Sequence, residues 1–357
     1  MSASDHPYRR QPQKAFWRQA VQERHFLEIR DWYTRKWPIG DLAIATAGSC
    51  FAQHIGRRLR AGGFRYLDVE PAPGFLPPQR HLDFGYGMYS ARYGNVYTTR
   101  QLLQLLQRAL GEFTPAETAW RSGSGWVDPF RPTIEPEPAG STDELEALRR
   151  AHLRAVARLF EQADLFVFTL GLTEVWLSRR DGAAYPLCPG TQGGEFDAAE
   201  HVFLNLGYED VVADLEAFIA RARSIRNDLK ILLTVSPVPL AATAGPDHVV
   251  SATSYSKAVL RAAAGHLAAK HDFIDYFPSF EIVSSTPMRG AFFNPDLRTV
   301  VEDGVEHVMK QFFAQHPPPG RPSGEARPAT APSPDDVVCD EEILAAFGDG
   351  DELPARR

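Results

Sequence analysis

The chain has 357 residues, of which 44% are apolar, 23% charged and 11% aromatic, with a formal net charge of −7. That length admits one large domain or two, with enough apolar sequence for a sizeable core, and the mild acidic excess argues against non-specific nucleic-acid binding. No run approaches the ~18 consecutive apolar residues of a transmembrane helix, and no apolar h-region of a secretory signal follows Met1. Three scattered cysteines, Cys50, Cys188 and Cys339, make neither a disulfide framework nor a Cys-x-x-Cys metal knuckle, so a cytoplasmic location is expected.

Residues 1–40 carry Tyr8, Phe16, Trp17, Phe26, Trp32, Tyr33 and Trp37, too many aromatics for a free tail, and are expected to pack as an arm on a main domain spanning residues 41–316. A short helix is expected from Ala15 to Val21. The first core signal is Leu42-Ala-Ile-Ala-Thr-Ala47, a buried strand between Gly40 and Gly48; Cys50 to Leu59 then follows a helical period. Residues 61–92 and 111–140 read as irregular loops. Helices are expected over 98–110, capped by Thr98 or Thr99, and over 141–162. Leu165–Leu170 and Lys230–Val235 read as buried strands and 273–276 as a shorter one. Residues 181–201 form an excursion, and helices are expected over 209–226, 255–269 and 304–313. This alternation predicts an α/β doubly wound parallel sheet. Residues 317–334, rich in Pro, Gly, Ser, Ala and Arg, read as disordered linker, and an acidic tail follows, with Ile343, Leu344 and Phe347 set in it. The tail reads as a solvated terminus, with a protein-docking motif as the sharper alternative.

In an open α/β sheet, ligands bind at the carboxyl ends of the strands. Ser49 and Cys50 fall there, at a strand-to-helix turn where backbone N–H groups favour a thiolate or a developing oxyanion. The plainer reading makes Ser49 an N-cap and Cys50 a small buried hydrophobe. Gly94-Asn95 before a helix and Thr173-Glu174 after a strand bring further polar groups to the same edge. No His/Asp/Cys cluster has metal-ligand spacing, and neither phosphate-cradling glycine motif is present, so no metal and no cofactor is expected.

Ala47-Gly-Ser-Cys-Phe-Ala-Gln-His-Ile55 resembles the signature of the GSCFA family, a branch of the GDSL/SGNH hydrolase superfamily. Tyr93-Gly-Asn-Val-Tyr-Thr98, Thr169-Leu-Gly-Leu-Thr-Glu-Val-Trp176, Tyr185-Pro-Leu-Cys-Pro-Gly190, Leu233–Leu240 and Tyr255-Ser-Lys257 resemble the family in the same order. The resemblance implies a flavodoxin-like (SGNH-type) sheet. It also implies an acyl-ester site with a nucleophile after the first strand, an oxyanion hole from the second and third blocks, and a late Asp-x-x-His. Spacing sets Cys50 at the nucleophile; chemical identity sets Ser49 there. Gly94, Asn95, Thr173 and Glu174 fall at the oxyanion and substrate-binding blocks, Thr173 standing where the superfamily carries Asn. Asp296 matches the late Asp, but Thr299 takes the place of the catalytic His, and threonine cannot accept a proton at neutral pH. His248 leads the replacement bases, ahead of His54, His201 and His307; Lys257 is a further option whose plainer reading is a solvated helix lysine.

Two functions follow. One is an esterase or O-acyltransferase acting through Ser49 or Cys50 on a small-molecule or glycan acyl ester. The other is a catalytically inactive binding or scaffold protein of the same fold, for which Thr299 is the main support.

Overall fold

The computed structural model describes residues 6–319 and 340–349. Its centre is a four-stranded parallel sheet built from β1 (Ile44–Gly48), β4 (Leu165–Leu170), β8 (Lys230–Val235) and β9 (Ile274–Phe277), in that spatial order. Side chains alternate across a strand, and both faces here are apolar. Ala45, Phe166, Phe168, Ile231 and Leu233 join one core cluster, whereas Ile44, Leu165, Val167, Leu232 and Phe277 join the other. An isolated parallel bridge joins Ile44 of β1 to Tyr66, which lies outside the named strands.

Helices cover both faces. On one lie α2 (Thr99–Ala109), α3 (Thr142–Gln162), α4 (Tyr208–Ile225) and α5 (Val249–Lys270). On the other lie α1 (Phe51–Ala61), α6 (Ser279–Ser284) and α7 (Glu302–Gln315), together with the aromatic arm. The arm is fixed by polar as well as apolar contacts: Tyr33, buried with Ile29 and Ile39, donates its phenol to Asp275 Oδ2 at 2.6 Å. In place of the helix expected near residue 15, it winds through a 3-10 turn (Gln13–Ala15) and a π turn (Arg18–Gln22). No described helix is long and apolar enough to cross a membrane.

Two small sheets lie outside the main one. β2 (Trp120–Ser122) and β3 (Gly125–Val127) form a hairpin inside what reads as loop. The excursion after β4 is an antiparallel sheet in the order β6 (Ala184–Tyr185), β5 (Glu174–Ser178), β7 (His201–Asn205). Helix α5 starts six residues earlier than its sequence suggests, because His248 caps it through Nδ1, which accepts from Val250 N at 3.2 Å.

At the start of α2, Thr98 Oγ1 accepts from Gln101 N at 3.3 Å, and Gln101 Oε1 accepts from Thr98 N at 2.9 Å, a reciprocal capping box. Thr98→Ala is expected to cost about 1 kcal/mol in chemical denaturation; an unchanged midpoint would show that the cap contributes nothing.

Part of the segment 340–349 packs on the domain, while Glu342 and Phe347 stay exposed. Asp340–Leu344 forms a 3-10 turn and Ala345–Asp349 a short helical turn (α8), with Asp340, Glu341 and Leu344 partly buried against the domain. Of the stretch expected as linker, residues 320–334 lie outside the described residues, as do residues 335–339 of the acidic tail with Cys339.

Candidate functional site at the carboxyl edge of the sheet

The strand-to-helix turn after β1 is set by Gly48 at φ +141, a conformation L side chains rarely adopt. It places Ser49 N within 3.1 Å of Thr169 O on β4 and brings Val96 N to Gly48 O at 2.9 Å. Residues 95–97 thereby thread between the ends of β1 and β4, and Gly171 N and Leu172 N both donate to Tyr97 O at 3.1 Å. Gly171 is packed so tightly that a Cβ on it would lie 3.0 Å from Ser49 Cβ. The first, second and third blocks therefore meet at one edge.

Ser49 and Cys50 are both buried there, at 3% and 5% exposure. Ser49 Oγ has no hydrogen-bond partner among the described residues, an uncommon state for a buried hydroxyl. Cys50 immediately precedes α1 without a side-chain cap, and the partnerless Ser49 Oγ caps no backbone N–H of this helix either. Asn95 is buried beside them. Its Oδ1 lies within hydrogen-bond reach of the Tyr89 phenol and of Gln53 Nε2, and Tyr89 also reaches Ser49 O at 3.1 Å. Burial, reinforced by Cys50 alongside, raises the Tyr89 pKa well above its ordinary value and keeps the phenol protonated. With Oδ1 so engaged, Asn95 presents Nδ2 to Asp340 Oδ2 at 2.7 Å.

The remaining candidates sort themselves by their partners. Gly94 has φ +68, a left-handed turn that glycine adopts freely. Thr173 is fully buried, its N–H donating to Ser256 Oγ at 2.9 Å and its only hydroxyl proton to Asn205 Oδ1 at 2.6 Å. In this arrangement it has no hydroxyl proton for an oxyanion, contrary to expectation. Glu174 orients the loop after β8, accepting from Thr243 Oγ1 at 2.6 Å and Ala244 N at 3.3 Å. Burial raises its pKa against those two bonds.

Asp296 is exposed and closes on itself: its carboxylate accepts from Arg298 N, Thr299 N and Thr299 Oγ1 at 2.9, 3.0 and 2.6 Å. Slight burial pushes its pKa up, but the Thr299 and backbone bonds outweigh it and hold the carboxyl below its usual range. The residue at the position of a catalytic base thus serves as the partner of Asp296.

No described hydrogen bond joins any of the histidines weighed as a base to Ser49 or Cys50. His248 is the exposed cap of α5. His201 lies in the small sheet, where Nδ1 accepts from Asp197 N at 3.2 Å and Nε2 is 3.5 Å from Glu117. His307 stacks on Phe292 at 5.1 Å. His54 packs on Phe51, with its pKa lowered to about 4 by burial and then by Arg57 and Arg58.

Lys257 reverses its plainer reading. It is 3% exposed, and Nζ donates at 2.6 Å to the carbonyl of Gly171, the glycine that packs on Ser49. Tyr89 and Thr133 also contact this cluster although their positions in the chain carry no motif, and Gln53 and Arg298 do so from inside the first and last blocks without standing out there; the density of aromatics over 84–97 was the available hint for Tyr89. Next to these residues opens a cleft of about 450 Å³, lined by Leu172, Glu174, Trp176 and Cys188 and by Leu344 and Phe347 of the acidic segment. Among the described residues no group of three or more His, Cys, Asp or Glu could hold a metal ion.

The chain is thus an α/β protein with a mostly parallel central sheet and a polar cluster at its carboxyl edge. The model of the GSCFA family matches residues 43–312, and the chain belongs to that family. No curated protein matches it. Among solved structures, an acetyl esterase mutant crystallised with acetate ion matches at 9% identity and a TM-score of 0.34, over 77% of this chain and 95% of that one.

Proposed function

We propose that this chain is an SGNH-like esterase or O-acyltransferase in which Ser49 carries the acyl group of a small hydroxylated substrate, a carbohydrate ester among them. The observation that carries this reading is the buried Ser49 hydroxyl without a partner among the described residues, at the carboxyl end of a parallel strand, beside a buried asparagine whose Nδ2 already donates to a carboxylate, that of Asp340. The serine oxygen attacks the ester carbonyl, Asn95 Nδ2 donates to the developing oxyanion, and the alcohol leaves with a proton; water or an acceptor hydroxyl then takes the acyl group. Lys257, held against the same glycine as Ser49, is assigned as the proton acceptor, in the manner of a Ser-Lys pair. A flavodoxin-like strand order is supported by the bridge of Tyr66 to the outer side of β1.

Incubation with p-nitrophenyl acetate followed by peptide mapping tests the assignment. An acetyl adduct on Ser49, absent from heat-denatured protein, is expected, and Lys257→Met is expected to lower turnover ~100-fold or more. An adduct on Cys50 instead would move the nucleophile one residue along. No fold-dependent adduct on either would favour the second reading, a binding protein of this fold, which the engaged Thr173 hydroxyl and the closed Asp296–Thr299 pair support.

A further inference from the structure

The acidic segment touches the second, third and last blocks of the site at once. Asp340 places one carboxylate oxygen 2.7 Å from Asn95 Nδ2 and the other 2.7 Å from Thr133 Oγ1. Glu341 and Glu342 each lie 3.4 Å from the Arg298 guanidinium, on the corner that carries Asp296 and Thr299. Leu344 and Phe347 line the apolar cleft beside Leu172 and Glu174. Each contact uses a group on the domain that an incoming ligand would need. The amide that would hold an oxyanion holds a carboxylate, the cation faces two more carboxylates, and two apolar side chains form part of the cleft wall.

We propose that residues 340–347 act as an internal competitor for the ligand site. The ligand that displaces them is an anionic amphiphile, with a carboxylate or comparable oxyanion for Asn95 and Arg298 and an apolar arm for the cleft. The proposal rests on the functional reading above only for the location of the site, not for its chemistry. The segment covers the site by mimicry, so its removal exposes Asn95 and Arg298 without altering the sheet that positions them.

The test uses the full chain carrying Asp340→Lys and Glu341→Lys, with Asp340→Asn as a milder variant, and a fluorescent peptide of residues 340–349 as the probe. The charge-reversed chain is expected to turn over p-nitrophenyl acetate about tenfold faster if the native site is open one-tenth of the time. The labelled peptide should bind that variant and not the native chain, and should raise its KM while leaving kcat unchanged. Binding should disappear when Asn95→Ala is added. If no form turns over the ester yet the peptide binds in this pattern, the esterase reading fails and the competitor stands. Slower turnover in the variants would make the segment part of the working site and overturn the proposal. Equal peptide binding to both chains, or to neither, would overturn it as well.

Discussion

Gly48→Ala is expected to leave little folded protein. A Cβ at this position would sit 2.4 Å from Thr169 O and 2.8 Å from Thr169 N, both backbone atoms of the neighbouring strand, and Gly48 is registered opposite Thr169 in the parallel pair. Relief would require β1 and β4 to separate at the carboxyl edge of the sheet. Strain at φ +141 adds about 1–3 kcal/mol to the steric cost, against a total stability on the order of 5–15 kcal/mol. Gly63, at φ +77 with nothing within 4 Å of its would-be Cβ, provides the control. Gly63→Ala carries strain alone and should melt only slightly below the native chain. Equal melting temperatures for the two variants would show that the close approach of β1 to β4 is unimportant.

Asp128→Ala should be nearly as damaging, for an electrostatic reason. Asp128 is 3% exposed and lies 3.2 Å from Arg131 Nε and 3.5 Å from Arg149 Nε, while the buried Arg108 guanidinium stacks 3.7 Å over Phe130. Removing the carboxylate leaves these cations facing one another in a poorly hydrated setting, which typically costs about 3–5 kcal/mol. Arg131 also donates to Arg92 O at 3.1 Å, so the loss reaches the turn that carries Gly94 and Asn95. Burial pushes the Asp128 pKa up, but Arg131, Arg108 and Arg149 outweigh it and bring it to about 2. A carboxyl depressed in the folded state stabilises above its unfolded pKa and ceases to do so as pH falls through its folded one. The native chain should therefore exceed Asp128→Ala by its full margin above about pH 4, narrowing as pH falls toward about 2. Denaturant midpoints measured across that range would show it; a margin that stays constant would place the effect in packing instead.

The parallel sheet was legible because its strands are continuous apolar runs, and β4 and β8 begin and end where those runs do. The meeting of Ser49, Cys50 and Asn95 was legible too, since a strand-to-helix turn has only one edge to occupy. Lys257 was not: α5 is rich in alanine and packs with the sheet and α4, so its sequence lacks a sharp polar face from which burial could be inferred. Thr173 and Asp296 occupy the expected edge, but their hydrogen-bond partners, Asn205 and Thr299, could be assigned only from geometry. The hairpin at 120–127 has strands of three residues, too short for alternation to register. The acidic segment was hidden by its composition: charge of one sign suggests solvent until a matching Asn95, Thr133 and Arg298 are found opposite it.

Because Asp340 belongs to the same chain as Asn95, its hold on the site does not depend on protein concentration. A tethered group acts at an effective concentration on the order of millimolar, so a segment whose free peptide had a Kd of about 0.1 mM would still cover the site about ten to one. Any soluble ligand measured on the intact chain would then register about tenfold weaker than its intrinsic affinity, and diluting the protein would not restore the difference.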